Sequence, residues 1–326
     1  VKVAVYYRNS DVRIEDRPKP VINEGEILVK MKASGICGTD LMEWYRIKKA
    51  PRVLGHEMVG EIAESKTDRF SAGQRVFVSH HVPCNDCKYC RDGNHTACET
   101  LHKGNYDPGG FSEYVRVPGI NVENGTYILP GSMSYEEGVM IEPLACAVRA
   151  QRVIGVKEGQ NVLVLGSGVS GLLNIALAKL KGARVIATDI NEYRLGKARE
   201  FGADEAVDAR QLPDVKADRV LVCTGAMQAF QQAFRSVDRK GIVMFFAIPD
   251  RDITMPTTDF WRNEISYVSS YGAAPIDLEE SLELISKGKI NVKGMVTDRF
   301  PLSEIQKGFD TAGRAQESLK VVITAE

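Results

Sequence analysis

Residues 161–171 read Asn-Val-Leu-Val-Leu-Gly-Ser-Gly-Val-Ser-Gly, an unbroken apolar run closed by three glycines. Val162 to Leu165 has the length and continuous apolarity of a strand buried on both faces, and Leu172 to Lys181 continues as an apolar helix. Strand, Gly-x-Gly-x-x-Gly turn and helix together form a dinucleotide-binding fingerprint, whereas the glycine pattern alone is a weak signal. Working outward, Arg184 to Thr188 predicts the next strand and Glu192 to Phe201 a charged helix. Further strands are predicted near Arg219 to Cys223, Ile242 to Ala247 and Tyr267 to Ser270. Apolar strands alternating with helices predict an α/β fold built on a doubly wound parallel sheet over residues 151–272.

Each residue of the turn has a physical task. Gly166 allows the tight turn, Gly168 lets backbone approach a pyrophosphate, and Gly171 permits close packing of helix on strand. Val169 and Ser170 open the helix, whose free N–H groups and dipole favour a phosphate. Asp189 ends the next strand, 18 residues after Gly171. A carboxylate there accepts hydrogen bonds from the ribose hydroxyls of NAD and repels the extra phosphate of NADP. Arg194 nearby reads either as a phosphate contact or as a cation stacked on adenine. Cys223, Thr224 and Ala247 fall at later strand ends, where a nicotinamide would lie.

Before residue 150 the character is different. Short runs such as Glu26 to Lys32, Val59 to Ala63, Arg75 to Val78 and Phe111 to Val117 alternate or cluster apolar residues at strand length, punctuated by glycine and proline. Ser134 to Glu137 is a capping box opening a helix over Tyr135 to Val153, which Pro143 is expected to kink or split. Past residue 272, Asp277 is expected to cap a helix from Leu278 to Lys287, followed by a helix from Ser303 to Thr311 and a strand from Lys320 to Thr324. Two connections look short, 64–70 and 207–219; the second leaves little room for a crossover helix.

Four of the seven cysteines, Cys84, Cys87, Cys90 and Cys98, fall within fifteen residues. Four thiolates fill a tetrahedral zinc shell and leave no open position, so a zinc there would hold a loop rather than do chemistry. The first three also match an iron–sulfur spacing, but the fourth does not. A second set is dispersed: Gly35-Ile36-Cys37-Gly38-Thr39-Asp40, Gly55-His56-Glu57 and Glu142-Pro143-Leu144. Together these offer one thiolate, one imidazole and two carboxylates, the mixed ligand set of a catalytic zinc.

With these motifs in this order, the chain resembles the zinc-dependent medium-chain dehydrogenases over nearly its whole length, nearest the sorbitol, butanediol and threonine dehydrogenase branch. The resemblance implies a GroES-like catalytic domain over 1–150, completed by 273–326, beside the NAD-binding domain. It implies Cys37 and His56 as zinc ligands, with Glu57 and Glu142 sharing the remaining coordination, and leaves open which of them binds directly. It places Thr39 on the substrate oxygen and Asp40 behind His56, fixing its tautomer. Many relatives carry a proton-passing histidine five residues after the cysteine. Here that position is Met42, so the relay would run through Glu43, the cofactor ribose or water.

The expected chemistry is reversible oxidation of a secondary alcohol or polyol to a ketone, with zinc as Lewis acid and NAD as hydride acceptor. Threonine-type or aminocyclitol dehydrogenation, ketone reduction, and a non-catalytic dinucleotide-binding relative are the alternatives. Met42, Trp44, Tyr106, Phe111 and Tyr271 are candidates for the substrate pocket; Cys146 and Cys223 read as buried thiols; His80, His81, His95 and His102 carry no assignment. The 326 residues hold 42 Lys plus Arg against 43 Asp plus Glu, a net charge of −1 that offers no basic field for nucleic acid. Neither a membrane span nor a signal peptide is read, since Val1 to Tyr7 reads as a strand. The odd cysteine count points to a reducing compartment, the cytoplasm, and the resemblance to a homodimer or homotetramer acting on a small-molecule alcohol or ketone.

Overall fold

The computed structural model describes residues 1–325. The chain divides into two compact units, one formed by Val1–Glu142 with Ala273–Glu326, the other by Pro143–Gly272.

The first unit is β-rich. Its strands are β1 (Lys2–Arg8), β2 (Asp11–Asp16), β3 (Ile27–Gly35), β4 (Arg52–Val53), β5 (Glu57–Ser65), β6 (Arg75–Ser79), β7 (Tyr114–Val117) and β8 (Thr126–Ile128). The sequence predicts alternation in β3, yet Ile27, Leu28 and Val29 are all buried. Those positions are covered on both faces, so alternation survives only around exposed Lys30. Phe111 to Glu113 precede β7 and do not extend it; Phe111 N–H instead bonds Leu54 O at 3.0 Å. The capping box at Ser134 is present: its Oγ accepts from Glu137 N–H and Glu137 accepts from Ser134 N–H. The helix it opens stops at Val139, and a second runs from Ile141 to Val153 with Pro143 in its first turn, where a missing N–H costs nothing.

The second unit holds β9 (Asn161–Leu165), β10 (Arg184–Asp189), β11 (Glu205–Asp208), β12 (Ala217–Val222), β13 (Val237–Phe245) and β14 (Ser266–Ser269), all parallel, in the order β11-β10-β9-β12-β13-β14. Val162 to Leu165 lie between β10 and β12 and are at most 1% exposed, which explains their continuous apolarity. Strand order reverses between β9 and β12, and the helix after the glycine turn spans Val169–Leu180. The connection from β11 to β12 contains one 3-10 turn, Ala209–Gln211, and no α-helix, in keeping with the short stretch at 207–219. The stretch at 64–70 is likewise a tight loop, in which Ser65 Oγ donates to Phe70 O at 2.7 Å.

The chain then returns to the first unit. A helix spans Pro275–Ser286, β15 is Val296–Pro301, a helix covers Ile305–Arg314, and β16 is Lys320–Thr324. Asp277 is not the residue before the helix, as the sequence suggested. Pro275 starts it, and Asp277 reaches back from the third position to accept Ala274 N–H at 2.8 Å. The helix after β15 likewise starts two residues later than expected and runs to Arg314.

The large sheet of this unit runs β15-β16-β3-β5-β6-β8, with β7 also on β3. Its register sets which strand ends lie side by side. Gly35 pairs with Glu57 on one side and Val322 on the other, and Glu57 pairs with Ser79. The ends of β3, β16, β5 and β6 therefore meet at one rim. None of the helices among the described residues is long and apolar enough to cross a membrane.

Candidate metal centres and dinucleotide site

At that rim, β3 delivers Cys37 through Gly35-Ile36, and Gly55 turns the chain with φ +89° so that His56 and Glu57 enter β5 beside it. One ligand atom each from Cys37, His56 and Glu57 lies within 4.8 Å of the others. Gly35 is glycine for a visible reason: a Cβ there would sit 1.9 Å from Glu57 Oε2. Glu142 is not in this group of three. It is 8% exposed, and its charge is felt by both Tyr106 and Lys320.

Asp40 is fully buried in the 3-10 turn Gly38–Leu41. Its Oδ2 accepts Cys37 N–H at 3.1 Å, and its Oδ1 stands 3.5 Å from His56 Nδ1. With Nδ1 turned to Asp40, His56 has Nε2 left for a metal, the arrangement that orients a ligating imidazole. Burial opposes the His56 cation, but Asp40 and then Cys37 outweigh it and hold its pKa well above the ordinary value. A thiol, an imidazole and a carboxylate packed this closely, with a second carboxylate behind the imidazole, form a set that a divalent cation satisfies.

Two residues at this centre were not found by sequence. Lys320, 3% exposed, donates to Glu57 Oε1 at 2.8 Å, to Oε2 at 2.6 Å and to Ile36 O at 3.3 Å. Burial disfavours its ammonium, but Glu57, then Cys37 and Glu142, keep its pKa above the ordinary lysine value. Arg46 donates to Thr39 O at 2.9 Å and to Thr39 Oγ1 at 3.1 Å, and lies 3.5 Å from Asp40. Glu43, a relay candidate, accepts Asn9 N–H at 2.7 Å and is thereby tied to the β1–β2 turn. Phe111 is a core residue and not pocket lining: it is 1% exposed and packs edge-on against Phe309. Tyr106 is also buried, its hydroxyl donating to Gly55 O, whereas Trp44 and Tyr271 are exposed.

The four-cysteine lobe is a separate cluster. Cys84, Cys87, Cys90 and Cys98 place their sulfurs within 4.8 Å of one another, and all seven cysteines are free of disulfides. The separations 84–90, 87–90 and 84–98 are 4.0, 3.6 and 3.5 Å. Four thiolates about 2.3 Å from one tetrahedral ion stand about 3.8 Å apart, so the lobe matches a closed zinc site. Positive φ at Asn85 and Gly93 makes the turns that bring them together. Burial chiefly pushes the Cys90 thiol up to about 12. Burial also opposes the Cys98 thiolate, but N–H donors from Cys84 and Leu101 overcome it and bring Cys98 to about 6. Four such neighbours cannot all ionise without a cation among them.

The glycine turn lies where strand order reverses. Gly166 has φ +94°, and a Cβ on Gly171 would meet Gly166 O at 1.9 Å, so both are demanded by the fold. Gly168 is different. Its φ of −70° suits any residue, and the nearest atom to an added Cβ is Arg194 Nη1 at 3.9 Å. The protein itself leaves that space open, as close approach of a pyrophosphate requires. Gly168 precedes the helix without a side-chain cap, so the N–H groups of Val169, Ser170 and Gly171 are left for an anion. Asp189 is no solvated strand-end acid. Its Oδ2 accepts Ser167 N–H at 2.8 Å and its Oδ1 accepts Asn191 N–H at 3.0 Å, so it also shapes the glycine turn. Arg194 Nη1 stands 4.0 Å from Asp189. Cys223 N–H bonds Leu165 O, Ala247 N–H bonds Val222 O, and Thr224 packs against Gly166, so all three gather at the switch point. Cys223 and Cys146 are half-buried rather than fully enclosed.

Residues 23–124 match the alcohol dehydrogenase GroES-like domain, and 170–287 match the zinc-binding dehydrogenase family. A sorbitol dehydrogenase from Halalkalibacterium halodurans is 33% identical over 95% of each chain. The chain belongs to the zinc-dependent medium-chain dehydrogenases. An L-threonine 3-dehydrogenase from Yersinia pseudotuberculosis is 31% identical, again over 95% of both chains. The solved 2R,3R-butanediol dehydrogenase of Bacillus subtilis superposes with a TM-score of 0.87 at 27% identity, covering 100% of this chain and 99% of the other. This medium-chain dehydrogenase is therefore a zinc-dependent oxidoreductase with a GroES-like and a Rossmann-type domain.

Proposed function

We propose that this dehydrogenase reversibly oxidises a secondary alcohol or polyol to the ketone with NAD, and that Cys37, His56 and Glu57 hold its reactive zinc. The observation that carries the reading is the convergence of these three side chains at one sheet rim with Asp40 behind His56. Zinc bound there supplies Lewis acidity that brings an alcohol hydroxyl into reach of deprotonation near neutral pH. Asp40 holds the His56 ring in one orientation and one tautomer. Lys320 balances the charge of Glu57, and Glu142 adds a further carboxylate nearby. Thr39 Oγ1 receives a hydrogen bond from Arg46, which leaves its own O–H and one lone pair for the substrate proton. With Met42 in place of a histidine and Glu43 tied to Asn9, no side chain of the 42–43 segment takes that proton onward, and water would have to carry it from Thr39.

Gly166, Gly168, Val169, Ser170 and Gly171 would cradle the pyrophosphate. Asp189 would take the adenosine ribose with Arg194 beside it, Cys223, Thr224 and Ala247 would lie toward the nicotinamide, and the bound cofactor would supply the hydride acceptor. The cysteine lobe would hold a second, structural zinc. The reading further includes a homodimer or homotetramer in the cytoplasm.

A panel of secondary alcohols and polyols, assayed with NAD and NADP on zinc-loaded protein, tests it by absorbance of the reduced cofactor. Wild type reduces NAD with at least one member, and Cys37→Ser abolishes turnover while NAD binding, followed by calorimetry, persists. Unchanged turnover in Cys37→Ser removes the assignment.

A further inference from the structure

His80 and His81 follow β6 directly, and neither has a place in the chemistry above. Antiparallel pairing of Ser79 with Glu57 sets His80 across from His56, with ring centroids 5.0 Å apart. The His80 ring packs against His81 at 3.8 Å, tilted by 31°, and meets Tyr106 edge-on at 6.4 Å. Its backbone is held as firmly. Asn121 Nδ2 donates to Ser79 O at 2.9 Å and to His80 O at 3.0 Å, and Ser79 Oγ donates to His81 O at 2.7 Å.

Within this frame, Nδ1 of His80 is sealed from solvent and has no hydrogen-bond partner. The residue as a whole is half-buried, so the opposite edge, with Nε2, is the one that reaches the outside. A sealed, unpartnered N–H is less tolerable than a sealed lone pair, because an orphaned donor is the rarer feature of native structures. Nδ1 is therefore the bare nitrogen. An imidazole bare at Nδ1 carries its proton at Nε2. His80 is thus a rigid N–H donor on the open edge of a ring beside His56.

We propose that His80 is a specificity-determining residue whose Nε2–H donates a hydrogen bond to a second hydroxyl of the substrate, close to the carbinol being oxidised, so that the site prefers diols and polyols to simple secondary alcohols. This rests on the alcohol-oxidising function proposed above and adds the class of substrate. A site built around a donor discriminates strongly against a substrate lacking the partner oxygen, because the donor is then left unpaired.

The test compares 2,3-butanediol with 2-butanol, which differ by one hydroxyl, in zinc-loaded wild type and in His80→Leu, His80→Gln and His80→Asn. Zinc content and the inhibition constant of a non-oxidised diol accompany each kcat/KM. In His80→Leu the ratio of kcat/KM for diol over monoalcohol falls about ten-fold or more, 2-butanol turnover stays within about three-fold, and the diol inhibits more weakly. The side-chain amide of Gln reaches the position of Nε2 and restores the ratio, whereas the shorter Asn does not. An unchanged ratio in His80→Leu, or rescue by Asn and not Gln, overturns the proposal. Should His80→Leu lose zinc, the Gln and Asn pair decides on the same criterion. Failure of the underlying function looks different: wild type would oxidise neither alcohol.

Discussion

Replacing Lys320 by Met in the zinc-free protein should cost about 3–5 kcal/mol of stability, because it takes from a buried carboxylate the ammonium that meets both its oxygens. The size comes from the geometry. Glu57 is 0% exposed and Lys320 is 3% exposed, and the ammonium meets both oxygens at 2.6 and 2.8 Å. At an effective dielectric of about 20, charges about 2.7 Å apart attract by about 6 kcal/mol, much of it offset by the desolvation of both groups. Removing one partner leaves that desolvation uncompensated. Removing both, in Glu57→Gln with Lys320→Met, should recover most of the loss, since two neutral groups replace two charges. Urea unfolding of wild type, both single variants and the double variant, with and without zinc, measures the coupling. The loss in Lys320→Met should be smaller in zinc-loaded protein, because Glu57 belongs to the group that faces the metal. A Lys320→Met protein as stable as wild type, or a double variant whose loss equals the two single losses added together, would refute the reasoning.

Metal analysis should give about two zinc per chain in wild type and about one in Cys98→Ser, with the remaining ion supporting the reactive centre; two in the variant would separate Cys98 from metal binding. Asp189→Asn should lower the NAD over NADP preference in kcat/KM by about ten-fold, since it removes the charge that repels the phosphate but keeps an acceptor for Ser167 N–H; an unchanged ratio counts against Asp189 as the ribose ligand. Although the residue is half-buried as a whole, desolvation at its sulfur, opposed by a hydrogen bond from Asn174, pushes the Cys223 thiol up to about 12, above its unfolded value, so it favours the fold fully below about pH 9 and loses that contribution as pH rises toward 12. The stability gap between wild type and Cys223→Ala should therefore narrow between pH 8 and 11, by at most about 1.4 kcal/mol per unit; a gap independent of pH would show that the thiol ionises equally well in both states.

The parts legible in the sequence are those whose physics is local. The glycine turn comes from a buried strand and the backbone demands of Gly166 and Gly171, and the cysteine lobe from spacings short enough for one ion. Cys37 and His56 are reachable because each sits in a compact motif. Lys320 is not: it lies 263 residues from Glu57 and reads as an ordinary polar position at the start of a strand. Only the pairing of β16 with β3, which sets Val322 against Gly35, brings it there. Arg46 escapes sequence reading because its targets, Thr39 and Asp40, lie across a turn of no regular period. His80 owes its position to a cross-strand register that sequence cannot supply. Phe111 misleads because an aromatic residue beside a glycine pair looks the same whether it lines a pocket or fills a core. Residue type alone makes Asp277 a cap, whereas Pro275 has already fixed the first turn.

The pairing of Lys320 with Glu57 also has a temporal side. During synthesis Glu57 emerges long before its counter-charge. At roughly 5–20 residues per second the interval spans roughly 13–50 s. In that time β3 and β5 can pair, since both are complete by Ser65, but the rim they form carries an unbalanced carboxylate. A zinc ion captured during this window would meet a Glu57 not yet held by Lys320. The order in which the chain leaves the ribosome thus makes early metal uptake a stabilising event for the nascent sheet, and the arrival of β16 the step that returns Glu57 to a shared role.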